Sequence, residues 1–442
     1  MNTTPLSRRN FLKTASLALP LSTALPITMA AAQQADAPAA VSRRNTYFDK
    51  GTRLAISMWD FSWLQSSYPG GPYENLERRV AEAAERGYNT LRVDCFPPRI
   101  LESESRFEKN WDPNVNVSQW GQCGVTFTCN VRKKVAELAE LCRKHKIWLG
   151  LDSWDIARVF GRDAGTLVIN EADEEREFTR YGEVWVKALK LMREDGVLER
   201  AVWIAPMNEV PNFVSGRVAA VKKATHPAEV DAIYRRINGW MAAPIRAEVA
   251  SEKIPISYSS NGDRNFGARL TDDYDVVDVH FMPGVIYDKK DEETFPEVPF
   301  YITRFPGGNV PVFQGQKLAA GPKNFDFAAF SKAWDSACRQ HYATMLKRTQ
   351  NFFQSTLTHL TLSSGKKLAP IITECFGPLI WPDNPAVSWD WYQRYNGDSL
   401  RIVAGMDFKG SSLSNFAEPL FSLWEDADWH WAGIKYLLSD TA

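Results

Sequence analysis

The sequence has 442 residues, and its 52 lysines and arginines nearly balance its 53 aspartates and glutamates, which gives a formal net charge of −1 at pH 7. Because there is no basic excess, we expect no nucleic-acid partner. Aromatic residues make up 12% of the chain and include 16 tryptophans. Sugar rings stack their apolar faces on such side chains, so this surplus favours a carbohydrate substrate.

The first stretch in chain order has the pattern of an export signal. Residues 7–13 read Ser-Arg-Arg-Asn-Phe-Leu-Lys, and a mildly apolar segment follows from Ala15 to Ala32. The pattern predicts a twin-arginine signal peptide over 1–32, export by the twin-arginine machinery, and a periplasmic or secreted protein. A membrane anchor is the alternative interpretation, but Pro20 and Pro26 weigh against stable anchoring. We expect a disordered leader over 33–50 and a single domain over 51–442.

Six cysteines are spread along the chain, and no two form a CxxC pair. The sequence therefore predicts no zinc site. Cys123 and Cys129 fall in a predicted loop, where a disulfide and two free thiols are equally open. Cys95, Cys142 and Cys375 stand in apolar segments and are predicted to be buried thiols.

Short apolar runs alternate with amphipathic helical segments through the rest of the chain. The predicted strands are 54–58, 90–96, 147–151, 201–207, 256–260, 276–281, 370–373 and 417–424. The predicted helices are 75–86, 131–142, 172–195, 227–251, 327–353, 389–408 and 429–438. Eight short, mostly apolar strands that alternate with helices indicate a parallel sheet closed into a (β/α)8 TIM barrel, with long loops at 97–130 and 283–322 on its catalytic face. An open doubly wound sheet would need a glycine-rich phosphate turn, which the sequence lacks.

Two of the predicted strands end in a glutamate. The run 201–207 leads into Asn208 and Glu209, and the run 370–373 leads into Glu374. In a TIM barrel the carboxyl ends of the strands carry the functional side chains. Hydrolysis of a glycosidic bond needs one carboxyl to protonate the leaving oxygen and a second to attack the anomeric carbon or activate water. The two glutamates therefore predict a glycoside hydrolase site.

These motifs resemble the cellulase-like clan of retaining (β/α)8 glycoside hydrolases, clan A, which includes glycoside hydrolase family 5. The match rests on Asn208-Glu209 at the fourth strand and on Thr373-Glu374 at the seventh. The resemblance implies that Glu209 is the acid/base, that Glu374 is the nucleophile, and that Asn208 binds the 2-hydroxyl of the sugar.

Further residues follow from the resemblance and from their positions at strand ends. Arg92 matches an arginine that orients the nucleophile, and a guanidinium inside an apolar strand must in any case find a carboxylate. His280 matches a histidine near the site, and Trp424 matches the tryptophan that floors the sugar subsite. Trp59, Asp60 and Asp152 are candidates for contact with substrate, whereas Trp203 in mid-strand is predicted to lie in the core.

The sequence thus predicts a retaining β-glycoside hydrolase that acts on an oligo- or polysaccharide by double displacement, without a cofactor or a metal. A sugar-binding protein that has lost turnover is the alternative. A metal-dependent sugar isomerase or epimerase is weaker, because of the six histidines only His280 stands clearly at a strand end.

Overall fold

Eight parallel strands form the centre of the molecule and confirm the predicted (β/α)8 barrel. The computed structural model describes residues 53–109, 123–154, 167–281, 313–314, 317–318, 327–377 and 383–439. The strands are β1 (Leu54–Asp60), β2 (Thr90–Asp94), β3 (Trp148–Asp152), β4 (Ala201–Ile204), β5 (Ser257–Asn261), β6 (Val276–His280), β7 (Ala369–Ile372) and β8 (Gly410–Ser412). They pair in the order β4-β3-β2-β1-β8-β7-β6-β5, and a parallel bridge between Ile204 and Ile256 joins the two ends of the sheet.

Burial on both faces explains why the strands read as apolar runs. Leu54, Ile56 and Trp203 belong to one buried cluster contributed by several strands. Gly150 of β3 makes room for the large indole, since a Cβ at that position would lie 1.9 Å from the Trp203 ring. Trp203 is completely buried, which confirms its prediction as a core residue.

The helices surround the barrel close to the predicted positions. The long ones are Leu76–Glu85, Val131–Lys144, Glu174–Glu194, Pro227–Glu248, Phe327–Leu357, Asp390–Ala404 and Ala427–Leu438. Shorter helices are Ser62–Gln65, Pro97–Ile100, Val210–Arg217, Ala219–Lys223 and Phe266–Arg269, with 3-10 turns at Glu171–Asp173, Val197–Arg200 and Ser422–Glu425. The side chains of Asn75 and Asn130 accept hydrogen bonds from the backbone of the first turns they precede, which fixes two of the helix starts.

The eighth strand was predicted wrongly. It is Gly410–Ser412, whereas the predicted segment 417–424 forms a loop and the 3-10 turn Ser422–Glu425. The true strand carries only small residues, and at Gly410 a Cβ would lie 2.5 Å from the Cβ of Leu54 in β1. The fourth strand also ends earlier than predicted, at Ile204.

Several predictions concern segments outside the described residues. The signal peptide over 1–32 and the leader over 33–50 lie there, as do parts of both long loops. In the first loop the structure describes an antiparallel pair, Ser105–Phe107 with Phe127–Cys129; in the second it describes the pair Phe313–Gln314 and Lys317–Leu318. Across the described parts of the chain, every helix is too short or too polar to span a membrane.

All six cysteines are free thiols. Cys123 and Cys129 therefore do not form the disulfide that their spacing left open. Cys95, Cys142 and Cys375 are buried, as predicted.

Candidate active site

The two glutamates lie together at the carboxyl ends of their strands. Glu209 follows β4 and Glu374 follows β7, and one carboxylate oxygen of each lies within 4.8 Å of the other and of a ring nitrogen of His280. Glu209 has a left-handed backbone, with φ 47°, and its N–H bonds to the Ser259 hydroxyl at 2.9 Å. A non-glycine residue in this conformation is strained by about 1–3 kcal/mol, which is a feature of functional sites.

Arg92 on β2 organises the acidic groups around it. Its Nη1 donates to the Oε1 of Glu374 at 2.9 Å, and its Nε donates to the Oδ2 of Asp152 at 2.8 Å. Its Nη2 donates to the side-chain oxygen of Asn208, whose Nδ2 in turn donates to Glu374 at 3.3 Å. The carboxylate that the sequence required for this buried guanidinium is thus present, and the amide of Asn208 is fixed in orientation.

His280 at the end of β6 lies between the two glutamates. Its Nδ1 is 3.2 Å from the Oε1 of Glu209 and 3.4 Å from the Oε1 of Glu374. The second oxygen of Glu209 accepts a hydrogen bond of 2.6 Å from the Nδ2 of Asn212. Each glutamate is therefore held by a different set of donors, with the imidazole shared between them.

Burial and charge shift the acidities of this cluster. Burial raises the pKa of Glu374, although His280 and Arg92 act against it. Burial likewise raises the pKa of Asp60 well above its usual range, against the opposing effect of Arg92. Burial alone would lower the pKa of His280, but the carboxylates of Glu374 and Asp278 raise it well above the ordinary value. The neighbouring carboxylates thus favour the charged form of His280, whereas burial favours the neutral forms of Glu374 and Asp60.

A family model described as sugar-binding, cellulase-like matches residues 56–435 of the chain. The chain belongs to the cellulase-like family. The match spans every barrel strand except the first two residues of β1, and it includes both glutamates. Comparison with curated proteins gives no significant match.

A solved structure shares the fold of this cellulase-like chain. A proposed glycoside hydrolase from Parabacteroides distasonis ATCC 8503 superposes with a TM-score of 0.63 at 20% identity, covering 88% of this chain and 94% of its own. A GH5-4 broad-specificity endoglucanase from an uncultured bacterium gives a TM-score of 0.46 at 12% identity, covering 89% and 96%. At 20% identity the similarity to the Parabacteroides distasonis protein shows a shared fold, and it does not show a shared reaction.

One residue predicted to bind substrate, Trp424, is placed elsewhere in the cellulase-like barrel. Trp424 lies in a 3-10 turn, where its indole stacks on Tyr88 and its Nε1 donates to Glu82 at 2.9 Å. Tyr88 precedes β2, so Trp424 packs at the amino end of that strand, away from the glutamates. The expectation of a stacking floor there is wrong, because it depended on the misplaced eighth strand.

Asp152 and Trp59 are fully buried, and their side chains contact other residues of the barrel. Both are 0% exposed, whereas Glu209 and Glu374 keep 6% and 3%. One oxygen of Asp152 accepts from Arg92 and the other from the backbone N–H of Ser153 at 2.7 Å. The ring of Trp59 packs edge-on against Tyr73. Asp152 therefore anchors Arg92 and Trp59 packs against Tyr73, and contact of either residue with substrate stays a prediction.

Asp60 remains a candidate for contact with substrate. It ends β1 in a left-handed conformation with φ 48°, and it is 2% exposed. Its Oδ1 lies 3.6 Å from the Nη1 of Arg92 but accepts no hydrogen bond. A buried carboxyl oxygen without a hydrogen bond is costly, and a sugar hydroxyl would satisfy it.

Three residues of the site were missed or misjudged from the sequence. Asp278 precedes His280 by two positions on β6, so the alternation of a strand places both on one face. Asn212 lies one helical turn after Glu209, at a spacing that brings the two side chains together. Glu418 follows β8 and accepts a 2.5 Å hydrogen bond from Tyr73 near Asp60.

The cluster that could hold a metal, within the described ranges, is the same group of Glu209, His280 and Glu374. The Oε1 of Glu374 that faces His280 is also the one that receives the guanidinium of Arg92. A divalent cation at this position would lie beside a buried positive charge. The arrangement fits neutralisation by the protein's own cations better than metal binding.

Proposed function

We propose that the protein is a retaining β-glycoside hydrolase that cleaves O-glycosidic bonds of an oligo- or polysaccharide by double displacement. Glu374 attacks the anomeric carbon while Glu209 protonates the leaving oxygen, and Glu209 then activates the water that releases the sugar. The observation that carries this proposal is the approach of carboxylate oxygens from the two residues to within 4.8 Å. Retaining enzymes hold their carboxyls at about 5–5.5 Å, whereas inverting enzymes need about 6.5–9.5 Å to admit water.

The surroundings of each glutamate fit its proposed role. Burial raises the pKa of Glu374, and the adjacent Arg92 opposes this rise and so favours the charged form that a nucleophile needs. Glu209 contacts the side-chain amide of Asn212 and the imidazole of His280. Asn208 contacts Glu374 and is proposed to bind the 2-hydroxyl of the sugar, and Asp60 is proposed to bind another hydroxyl of the same sugar.

The test is hydrolysis of aryl β-glycosides of several sugars, with the anomeric form of the first product followed by proton NMR. The proposal expects the β-anomer to appear first. Glu374→Gln should abolish turnover. Glu209→Ala should lower it by about 10²–10⁴-fold on poor leaving groups, with partial recovery in azide. Wild-type turnover by Glu374→Gln, or an α-anomer as first product, would refute the assignment.

Sugar binding without turnover is the second candidate, and the description of the family as sugar-binding favours it. It predicts saturable binding of oligosaccharides by calorimetry and no hydrolysis of any aryl glycoside. A metal-dependent isomerase would instead lose activity after dialysis against a chelator. For the hydrolase we expect the chelator to leave activity unchanged.

We also propose that the chain is exported by the twin-arginine route. The paired Arg8 and Arg9 before the apolar segment support this. A substrate found outside the cytoplasm, such as a polysaccharide, agrees with that location.

A further inference from the structure

Asp278 is a buried carboxylate that the reaction as proposed above does not use. It is completely buried on β6. Its Oδ1 accepts the backbone N–H of Thr373 at 3.0 Å, and its Oδ2 accepts the Thr373 hydroxyl at 2.6 Å. The same Oδ2 lies 3.1 Å from the Nε2 of His280. Asp278 is therefore fixed from the β7 side and faces the imidazole.

The groups around Nε2 of His280 require a proton on that nitrogen. The Thr373 hydroxyl lies 3.4 Å from Nε2 but gives its own proton to Asp278. The Ser259 hydroxyl lies 3.3 Å away and gives its proton to Asn208 at 2.7 Å. Both hydroxyls and the Asp278 carboxylate thus present acceptors to Nε2, which must be an N–H donor.

The opposite ring nitrogen also faces acceptors. Nδ1 of His280 approaches one carboxylate oxygen of Glu209 and one of Glu374. A neutral imidazole has a single N–H, and its other nitrogen would direct a lone pair at the carboxylate of Glu374, which is charged while Glu209 carries the proton that it donates in the reaction. Only the doubly protonated ring donates in both directions.

We propose that Asp278 is a positioning residue that keeps His280 protonated on both nitrogens and directs its Nδ1–H between Glu209 and Glu374. This inference rests on the proposed function. It assigns to the imidazolium the role of a shared cation that stabilises whichever glutamate is charged.

The charge movement in the reaction explains why a shared cation is useful. In the first step an oxygen of Glu374 bonds to the anomeric carbon, and the bond from that carbon to the leaving oxygen breaks. Its electron pair stays on the leaving oxygen, which takes the proton of Glu209. The negative charge thus passes from Glu374 to Glu209, and His280 lies within 3.4 Å of both. When water displaces the sugar, Glu209 takes a proton from the water and the negative charge returns to Glu374, where His280 again stabilises it.

Other charged groups of the barrel act on this pair from the neighbouring strands. Arg92 on β2 is the nearby guanidinium and favours the charged form of Asp278, while Asp152 on β3 and Asp60 on β1 add negative charge. Burial alone would raise the pKa of Asp278, but His280, Arg92 and the Thr373 hydroxyl hold it below the usual value.

The test combines NMR of the imidazole with kinetics of Asp278→Asn. Protein labelled with 15N-histidine carries six labelled rings, and the His280→Gln variant assigns the ring in question. In wild type, both nitrogens of His280 should show N–H at pH 7.5, where an ordinary histidine with a pKa of about 6.5 is neutral. In Asp278→Asn the ring should lose a proton within the range pH 5–8. The kcat/KM for an alkyl β-glycoside should fall about 10- to 100-fold, which is the usual loss when a metal-binding histidine in an enzyme loses the carboxylate that orients it.

A double-mutant cycle separates this role from a structural one. In a His280→Gln background, Asp278→Asn should cause no further loss of kcat/KM. As a matched control, Asp275→Asn removes a carboxylate that pairs with Arg246 and Lys366 just before the same strand. It should leave the His280 titration and the kcat/KM of the folded enzyme unchanged.

Each outcome decides a separate question. A neutral His280 in wild type at pH 7.5 overturns the inference even if Asp278→Asn does not fold. An active wild type whose Asp278→Asn variant keeps the same titration and rate also overturns it. A wild type without glycosidase activity refutes the proposed function, while the NMR measurement still decides whether Asp278 keeps the ring charged.

Discussion

Replacement of Arg92 by methionine should reduce stability by an amount that depends on pH. Arg92 is completely buried and its ion pairs with Asp152, Glu374 and Asp60 measure 2.8, 2.9 and 3.6 Å. Removing one partner of a buried ion pair costs about 3–5 kcal/mol. With an entropy of unfolding of about 0.8 kcal/mol per degree for a chain of this size, the melting temperature should fall by about 4–6 °C near pH 8.

The sign of the pH dependence follows from the three carboxyls. Burial raises the pKa values of Asp60, Asp152 and Glu374 above those of the unfolded chain, and Arg92 opposes the rise in each. Between the unfolded and folded pKa values the folded protein binds more protons, so stability falls as pH rises. Without Arg92 the pKa values of these carboxyls in the folded protein rise further, and the stability of the folded protein falls more as pH rises. The deficit of Arg92→Met should therefore be larger at pH 8 than at pH 5.

The assay is thermal denaturation of both proteins from pH 5 to pH 8, with kcat/KM measured on the folded fraction. Arg246→Met is the matched control, because Arg246 is also nearly buried but pairs with Asp275 at the other end of the barrel. It should lower the melting temperature without changing kcat/KM. Equal losses for Arg92→Met at both pH values would refute the reasoning.

Three further predictions concern single groups. Asn212→Ala removes the 2.6 Å hydrogen bond to Glu209, worth about 1.5–3 kcal/mol for a charged acceptor, so kcat/KM on an alkyl β-glycoside should fall about 10- to 100-fold. Burial and a nearby carboxylate raise the pKa of Glu418 well above its usual range. The folded protein therefore holds this proton more tightly than the unfolded chain, and the wild type loses stability as pH rises. Because glutamine does not titrate, the melting temperature of Glu418→Gln relative to wild type should increase from pH 5 to pH 8. Substitution of Arg8 and Arg9 by lysine should retain the protein in the cytoplasm, as measured by cell fractionation.

Each of these has a control and a contrary outcome. Ser215→Ala changes the same helix one helical turn beyond Asn212, at a side chain that bonds to the Asn212 carbonyl and not to Glu209. An equal fall in kcat/KM for both variants would contradict the first prediction. Glu425→Gln changes an exposed carboxyl, and a parallel pH response there would contradict the second. Normal export of the lysine variant would contradict the third.

The sequence predicted the barrel and the glutamates because both depend on simple patterns. Buried parallel strands need continuous apolar residues, and a polar residue directly after such a run lies at the strand's carboxyl end. Arg92 followed from the cost of an unpaired buried charge. These inferences require local sequence only, and the structure brings the three side chains together.

The remaining parts of the site depend on contacts that local sequence does not record. The strand Gly410–Ser412 has no apolar signal, and its first residue packs so closely against β1 that a Cβ on Gly410 would not fit. The apolar segment 417–424 was mistaken for it, and Trp424 was misplaced as a result. Asp278 interrupts an apolar strand, and its spacing of two from His280 was the available signal.

The most direct test of the central claim is to trap the glycosyl-enzyme. A 2-deoxy-2-fluoro β-glycoside with a good leaving group slows release of the sugar, so the intermediate accumulates and can be located by mass spectrometry of peptides. The account predicts a single covalent sugar on the peptide that carries Glu374, and none in Glu374→Gln. A sugar attached to a different residue, or turnover with inversion and no adduct, would contradict it.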